Sequence, residues 1–248
     1  MASEGEWSHV QRKGRRLRNA PMPTNVAADS LHDGLRPNPN PELSVEDLRR
    51  YHETLISKNE VISNWWVQLR EALESALSKP NPPAITKAVC LGPGPFEPND
   101  GSPSARQTAH MQTAAFRFIV DHLKSQSNQE ISCLIQEPRF TEIDKEFCST
   151  LGLKVVESPE AFAHVDENTL LFGIHMELHV YNQAMPRLPG IYIGTSLDEW
   201  EKAVRPDAVG GESLSRFSIM DATYDTYNFP ELGFLFWGTI MYWRRSET

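Results

Sequence analysis

The sequence holds no apolar run near the roughly 20 residues that a membrane-spanning helix needs, and no signal-peptide h-region follows its N-terminus. Cysteine is scarce. Cys90, Cys133 and Cys148 are an odd number at no metal-ligand spacing, and Cys90 and Cys133 fall inside expected strands, where a thiol behaves as a small buried hydrophobe. These absences argue for a reduced intracellular protein of the cytosol, the nucleus or both. Positive charge is also in deficit: 24 basic residues against 33 acidic ones leave a net charge of -9, which argues against a chain-wide nucleic-acid surface but allows a local basic arm. The Gly-x-Ser-x-Gly elbow and the Walker lysine are missing, so hydrolase and phosphoryl-transfer readings lose their usual support.

What is present is organised in two parts. Residues 1–41 read as a disordered basic N-terminal arm and a Pro-rich linker, poor in periodic apolar residues and ending in Arg36-Pro37-Asn38-Pro39-Asn40-Pro41. Within the arm, Trp7 stands beside a basic run from Arg12 to Arg18, which reads as a nuclear-import signal, a nucleic-acid arm or a surface for a protein partner, or simply as a solvated tail. Residues 42–248 read as one Rossmann-like α/β domain. Ser44 is a plausible N-cap with Asp47 three residues on. Apolar positions from Leu48 to Leu77 then recur at three- and four-residue steps, as one long helix or two with a break near Lys58-Asn59. The indoles of Trp65 and Trp66 are expected against the sheet, with partner binding as the alternative.

From Ala84 short apolar strands alternate with helices: strands at 88–91, 131–136, 154–157, 169–174 and 190–193, and helices at 104–124, 141–151, 159–163, 178–185 and 197–204. Repeated β-α units imply a parallel sheet with helices on both faces. The first strand is expected at its centre. Residues 216–220 and 234–243 read as β segments that add antiparallel strands at a C-terminal edge.

In a parallel sheet, ligands gather beyond the carboxyl ends of the strands, and that rule selects the candidate site. Behind the first strand stand Gly92, Gly94 and Phe96, with Ser102 and Ser104 near the start of the next helix. Glycines admit a ligand close to the backbone, and a helix N-terminus favours anions; Pro93 and Pro95 remove two amides that could hold one. Behind the second strand, Glu137 is placed to accept ribose hydroxyls, with a solvated turn carboxylate as the alternative. Behind the fourth, His175 is the candidate general acid/base or ligand contact, or else a hydrogen-bonded structural histidine. Tyr181 and Asn182 lie a turn further on. His175 and His179 flank Glu177, but the zinc-protease pattern needs its Glu directly after the first His, so no metal is assigned. Gly194 and Thr195 follow the fifth strand, and Ser196 suits the N-cap of the next helix.

Taken together, these clusters resemble the sensitivity-to-red-light-reduced-like family (SRR1-like domain), a eukaryotic group of regulatory proteins. The resemblance runs through Trp7 to Arg16, the Cys90-Leu-Gly-Pro-Gly-Pro-Phe96 loop, Ser104-Ala-Arg-Gln107 and Glu137-Pro-Arg-Phe-Thr-Glu142. It continues through Thr169-Leu-Leu-Phe172 with His175, Tyr181 and Asn182, and Ile193-Gly-Thr-Ser196. Family members more often carry Asp where Glu137 stands, His-Cys-Pro where His175-Met176-Glu177 stands, and Asn at Thr195. The resemblance implies a regulatory role in light signalling, circadian timing or haem metabolism, and no established reaction. Three readings follow: a regulator whose crevice binds a nucleoside-like or small anionic ligand, an S-adenosylmethionine-dependent methyltransferase-like enzyme, and a non-catalytic interaction module. Nucleotide and S-adenosylmethionine are the candidate cofactors; haem, suggested by the resemblance alone, has no local motif.

Overall fold

The central strands carry unbroken apolar stretches, Ala88 to Leu91, Leu170 to Phe172 and Ile191 to Ile193, so both of their faces must be covered. The computed structural model describes residues 35–57, 60–203 and 214–245; the basic island Trp7 to Arg18 and the expected helix break at Lys58-Asn59 lie outside them. Seven strands form one sheet in the order β3-β2-β1-β4-β5-β7-β6: β1 Lys87–Leu91, β2 Ser132–Gln136, β3 Lys154–Val155, β4 Thr169–Gly173, β5 Ile191–Thr195, β6 Tyr224–Asn228 and β7 Thr239–Arg244. The first five run parallel, and β7 is antiparallel to both β5 and β6. The chain works outward from β1 to β3, then returns to the other side of β1 with β4. The reversal point therefore lies between β1 and β4, where an open α/β sheet presents its crevice.

Side chains alternate across each strand. Ala88, Cys90, Leu170, Phe172, Ile191 and Ile193 enter a core with α1 (Val45–Ile56), α2 (Glu60–Leu77), α3 (Pro103–Ser127) and α4 (Glu142–Thr150). Val89, Leu91, Leu171 and Tyr192 enter the opposite core with a 3₁₀ turn at Glu160–His164, α5 (Leu178–Ala184), α6 (Leu197–Ala203) and α7 (Ser215–Thr223). The expected α/β class, helices on both faces, central first strand and antiparallel C-terminal strands are all present.

Local chemistry sets the helix starts. Ser44 and Asp47 form a reciprocal capping box on α1, as do Thr141 and Asp144 on α4, each worth about 1 kcal/mol. The indole of Trp65 turns inward, stacks on Phe236 at 4.8 Å and donates to the Pro230 carbonyl. Trp66 packs on Phe118 and donates to Ile56. Trp65 thus holds α2 against the β6–β7 loop, and Trp66 holds it against α1 and α3.

Two expectations about the C-terminal part are corrected. Residues 216–220 are helical, within α7: Phe217 and Met220, three apart, are buried while Ile219 between them is exposed, a helical and not an alternating pattern. The edge strand is instead Tyr224–Asn228, whose polar, half-exposed residues hide it from an apolar search. Residues 234–238 are loop, and β7 begins only at Thr239.

Candidate functional site

The tip of β1 is a turn with two left-handed glycines, Gly92 at φ +62° and Gly94 at φ +92°, a conformation costly for other residues. Gly92 donates to the Gln136 carbonyl and Gly94 donates to Glu137 Oε2 at 3.0 Å. Glu137 is buried. Its Oε1 also accepts from the Arg139 amide at 3.1 Å and from Arg139 Nε at 3.0 Å. The carboxylate expected to meet ribose hydroxyls is therefore already surrounded by three donors of its own chain, out of about four it can accept. It ties the β1 turn to the β2 turn.

Phe96 is fully buried, stacked on Phe140 at 5.3 Å and edge-on to Phe147 at 4.8 Å, so it forms the wall behind the turn. Ser104 is exposed on the first turn of α3, with its Oγ 3.0 Å from Ser102 Oγ. Ser102 caps that helix by accepting from the Ala105 amide. Behind Phe96 lies a pair that sequence reasoning missed: His52 Nδ1 and His110 Nδ1 are 3.2 Å apart in the core. One must donate and the other accept. Burial lowers the His52 pKa to about 4 and that of His110 to about 2, so both are neutral. Nearby, burial raises Asp144 to about 6 against the lowering effect of its Thr141 hydrogen bonds. The signal was legible in part, since His52 lies on the same stripe as Leu48 and Leu55.

The tips of β4 and β5 are built differently. Gly173 is in register with Leu91 on one side and Gly194 on the other. Tyr181 is fully buried; its hydroxyl donates to the Gly173 carbonyl at 2.6 Å and lies 3.3 Å from Thr195 Oγ1, while Tyr192 donates to the Thr195 carbonyl. The tyrosine thus ties the two strand ends together from below and does not reach a crevice. Asn182 is half-buried on α5. His175 is exposed, sits at φ +54°, and donates from Nε2 to the Trp237 carbonyl at 2.6 Å. Ser196 accepts from the Glu199 amide as the cap of α6.

Met176 joins the two tips. A Cβ placed on Gly92 would lie 3.0 Å from its Sδ, and one placed on Gly173 only 2.7 Å from its Cε. The hollow that the glycines leave is thus floored by backbone and filled by one flexible thioether. The structure joins Gly94 to Glu137 and Gly92 to the neighbouring Gln136, and brings Tyr181, Gly194 and Thr195 into a second group, with His175 reaching away to the β6–β7 loop. Among the described residues no cluster of three His, Cys, Asp or Glu side chains is arranged to hold a metal ion, and no helix is long and apolar enough to cross a membrane.

Strand order, reversal point and glycine tip define a doubly wound α/β protein with one reversed strand. The model of the SRR1 domain matches residues 59–243, well over half of the chain, and the chain belongs to that family. No curated protein matches the chain, and no solved structure does.

Proposed function

We propose that this SRR1 domain, extending over residues 42–248, is a regulatory protein that binds a small anionic, nucleoside-like ligand at the tips of β1, β2 and β4. One observation carries the reading: Gly173 pairs with Leu91, next to Gly92, at the reversal point of the sheet, and Met176 is the nearest side chain in the space that both glycines leave. A methionine is unbranched and adaptable, so a ligand can displace it by rotamer changes without moving backbone. The regulatory role rests on the family resemblance, as do its links to light signalling, circadian timing and haem metabolism. Cytoplasm and nucleus are the compartments consistent with three free thiols.

The test is thermal unfolding against a panel of nucleotides, S-adenosylmethionine and S-adenosylhomocysteine. A ligand selective for the native state stabilises it in proportion to the logarithm of its concentration, about 2.7 kcal/mol at 100 times Kd. Met176→Ala, which empties the floor, is expected to enlarge the shift. If no member of the panel moves either protein, the ligand reading falls.

A methyltransferase-like activity is the second reading, favoured by the sheet order with its single reversed strand between β5 and β6, the layout of adenosylmethionine-dependent methyltransferases. Such likeness carries architecture and not activity. Here Met176 occupies the position that the cofactor's methionine part would take over Gly92, and His175 Nδ1 is the nitrogen left to meet an acceptor. Transfer of label from a methyl-labelled donor would establish it; binding without transfer would leave the regulatory reading.

A further inference from the structure

We propose that Arg139 is an anion-binding residue at the double-glycine turn, held in place by Glu137 to grip a carboxylate or phosphate of the ligand; this deepens the ligand reading above and rests on it. The argument begins with the amides. Pro93 and Pro95 have none, Gly92 N–H is engaged with Gln136, and Gly94 N–H with Glu137. At the start of α3, Pro103 has no N–H, and the Ala105 and Arg106 amides are engaged with the hydroxyl and the carbonyl of Ser102. A glycine turn that would ordinarily cradle an anion on its backbone has therefore lost that capacity.

Arg139 supplies what the backbone does not. Its Nε and its amide are both bound to Glu137 Oε1, and the Glu137 side chain is only 3% exposed, whereas that of Arg139 is 41% exposed. The acid is inside and the base faces out. Of the five guanidinium N–H donors, Nε–H alone is engaged among the described residues, leaving the four on Nη1 and Nη2 open. Nη2 lies 3.8 Å from the point where a Cβ on Gly94 would stand, so the open prongs sit over the turn itself. A guanidinium fixed at Nε presents its two terminal amines as a planar fork matched to an oxyanion. Arg106, the nearest cation on α3, is turned instead over the Tyr51 ring. On a chain of net charge -9, an anion needs such a local positive group to dwell at all.

Titration calorimetry with two matched pairs of probes tests this. Adenosine monophosphate against adenosine isolates a phosphate, and S-adenosylhomocysteine against methylthioadenosine isolates a carboxylate-bearing tail. The variants are the Glu137→Gln/Arg139→Gln double, which removes both charges and leaves no orphaned buried carboxylate, and Arg139→Lys, which keeps the charge and loses the fork. The charged member of one pair is expected to lose about 10- to 100-fold in affinity in the double variant, the range of a charge-assisted hydrogen bond, with a smaller loss in Arg139→Lys. The uncharged member should change less than about twofold. The pair that discriminates tells phosphate from carboxylate. Unchanged binding of charged probes in the folded double variant overturns the role of Arg139 while the ligand reading stands. Equal weakening of charged and uncharged probes also overturns it, because that is the mark of a structural residue. If the unaltered protein binds none of the four, the ligand reading fails and takes this inference with it.

Discussion

The tip of β1 and the tip of β4 are neighbours in the sheet, yet they are held by opposite kinds of chemistry. At β1 the turn is tied by a charged pair, Glu137 and Arg139, and backed by neutral histidines and a carboxyl of raised pKa. At β4 and β5 the ties are phenol hydroxyls on backbone carbonyls, all buried, and their pKa values are pushed upward by burial. The first region holds groups that respond to an anion or a proton, with donors still open to solvent. In the second, the buried phenols Tyr181 and Tyr192 are satisfied by backbone carbonyls and stay protonated at ordinary pH. Under the proposed function, the charged grip on a ligand comes from the β1–β2 side, and the β4 tip contributes Gly173 to the hollow that Met176 fills.

Acid should separate the two regions most strongly. Unfolded histidines take up protons near pH 6.5, while His52 resists to about 4 and His110 to about 2. Between pH 6.5 and 4 the unfolded chain binds more protons, so stability falls as pH falls. Asp144 opposes this: with its pKa raised to about 6, its contribution is complete below the unfolded value and is lost as pH rises through 6. Two histidines outweigh one carboxyl, and the net loss from pH 7 to 4.5 is on the order of 3 kcal/mol by urea unfolding. Asp144→Asn removes the opposing contribution and should steepen the acid limb. A flat profile over this range would show that the histidine pair is solvated.

Alanine at matched glycines sharpens the contrast. At Gly194 an added methyl would lie 2.4 Å from both the Gly173 carbonyl and the Tyr192 hydroxyl, neither of which can yield. About 2–3 kcal/mol should be lost, seen as a fall of roughly 5–10 °C in Tm. At Gly94 the nearest atoms are 3.8 Å away, so only the left-handed backbone at φ +92° is strained, at about 1–2 kcal/mol. Equal losses at the two positions would dissolve the distinction. The smallest effect is expected from Tyr181→Phe, about 1 kcal/mol for the unpaired Gly173 carbonyl, with the affinity of any probe unchanged. A Tyr181→Phe protein that folds but no longer binds a probe bound by the unaltered chain would place the ligand on the wrong side of the sheet.

Much of the architecture was legible because it is written in local patterns. Ser44 with Asp47 announced the first helix, the glycine-proline turn announced the end of the central strand, and runs such as Thr169 to Phe172 announced strands buried on both faces. Where patterns were weak, reading failed. The segment Tyr224–Asn228 joins the sheet through backbone pairing with β7 and has little apolar signature. For the site, the turn glycines and Glu137 were singled out from the sequence and lie together at the end of β1, whereas Arg139, which pairs with Glu137, was given no role there. Phe96 and Tyr181 looked available and are enclosed, because an aromatic at a strand tip is as useful for packing as for recognition.

The amino-acid order alone determined the alternation of strands and helices as far as β5, the pattern that forces a two-faced parallel sheet, and the turn at the end of β1, since these rest on periodicity and on φ values that only certain residues adopt. Only the tertiary structure decided who bonds to whom. Gly94 meets Glu137 across 43 residues and His175 meets Trp237 across 62. Partners so far apart are chosen by the packing of strands and not by any local preference. Hence the sequence could name the hollow, and the fold alone could show that Glu137 is engaged, that Met176 fills the floor, and that Arg139 faces outward.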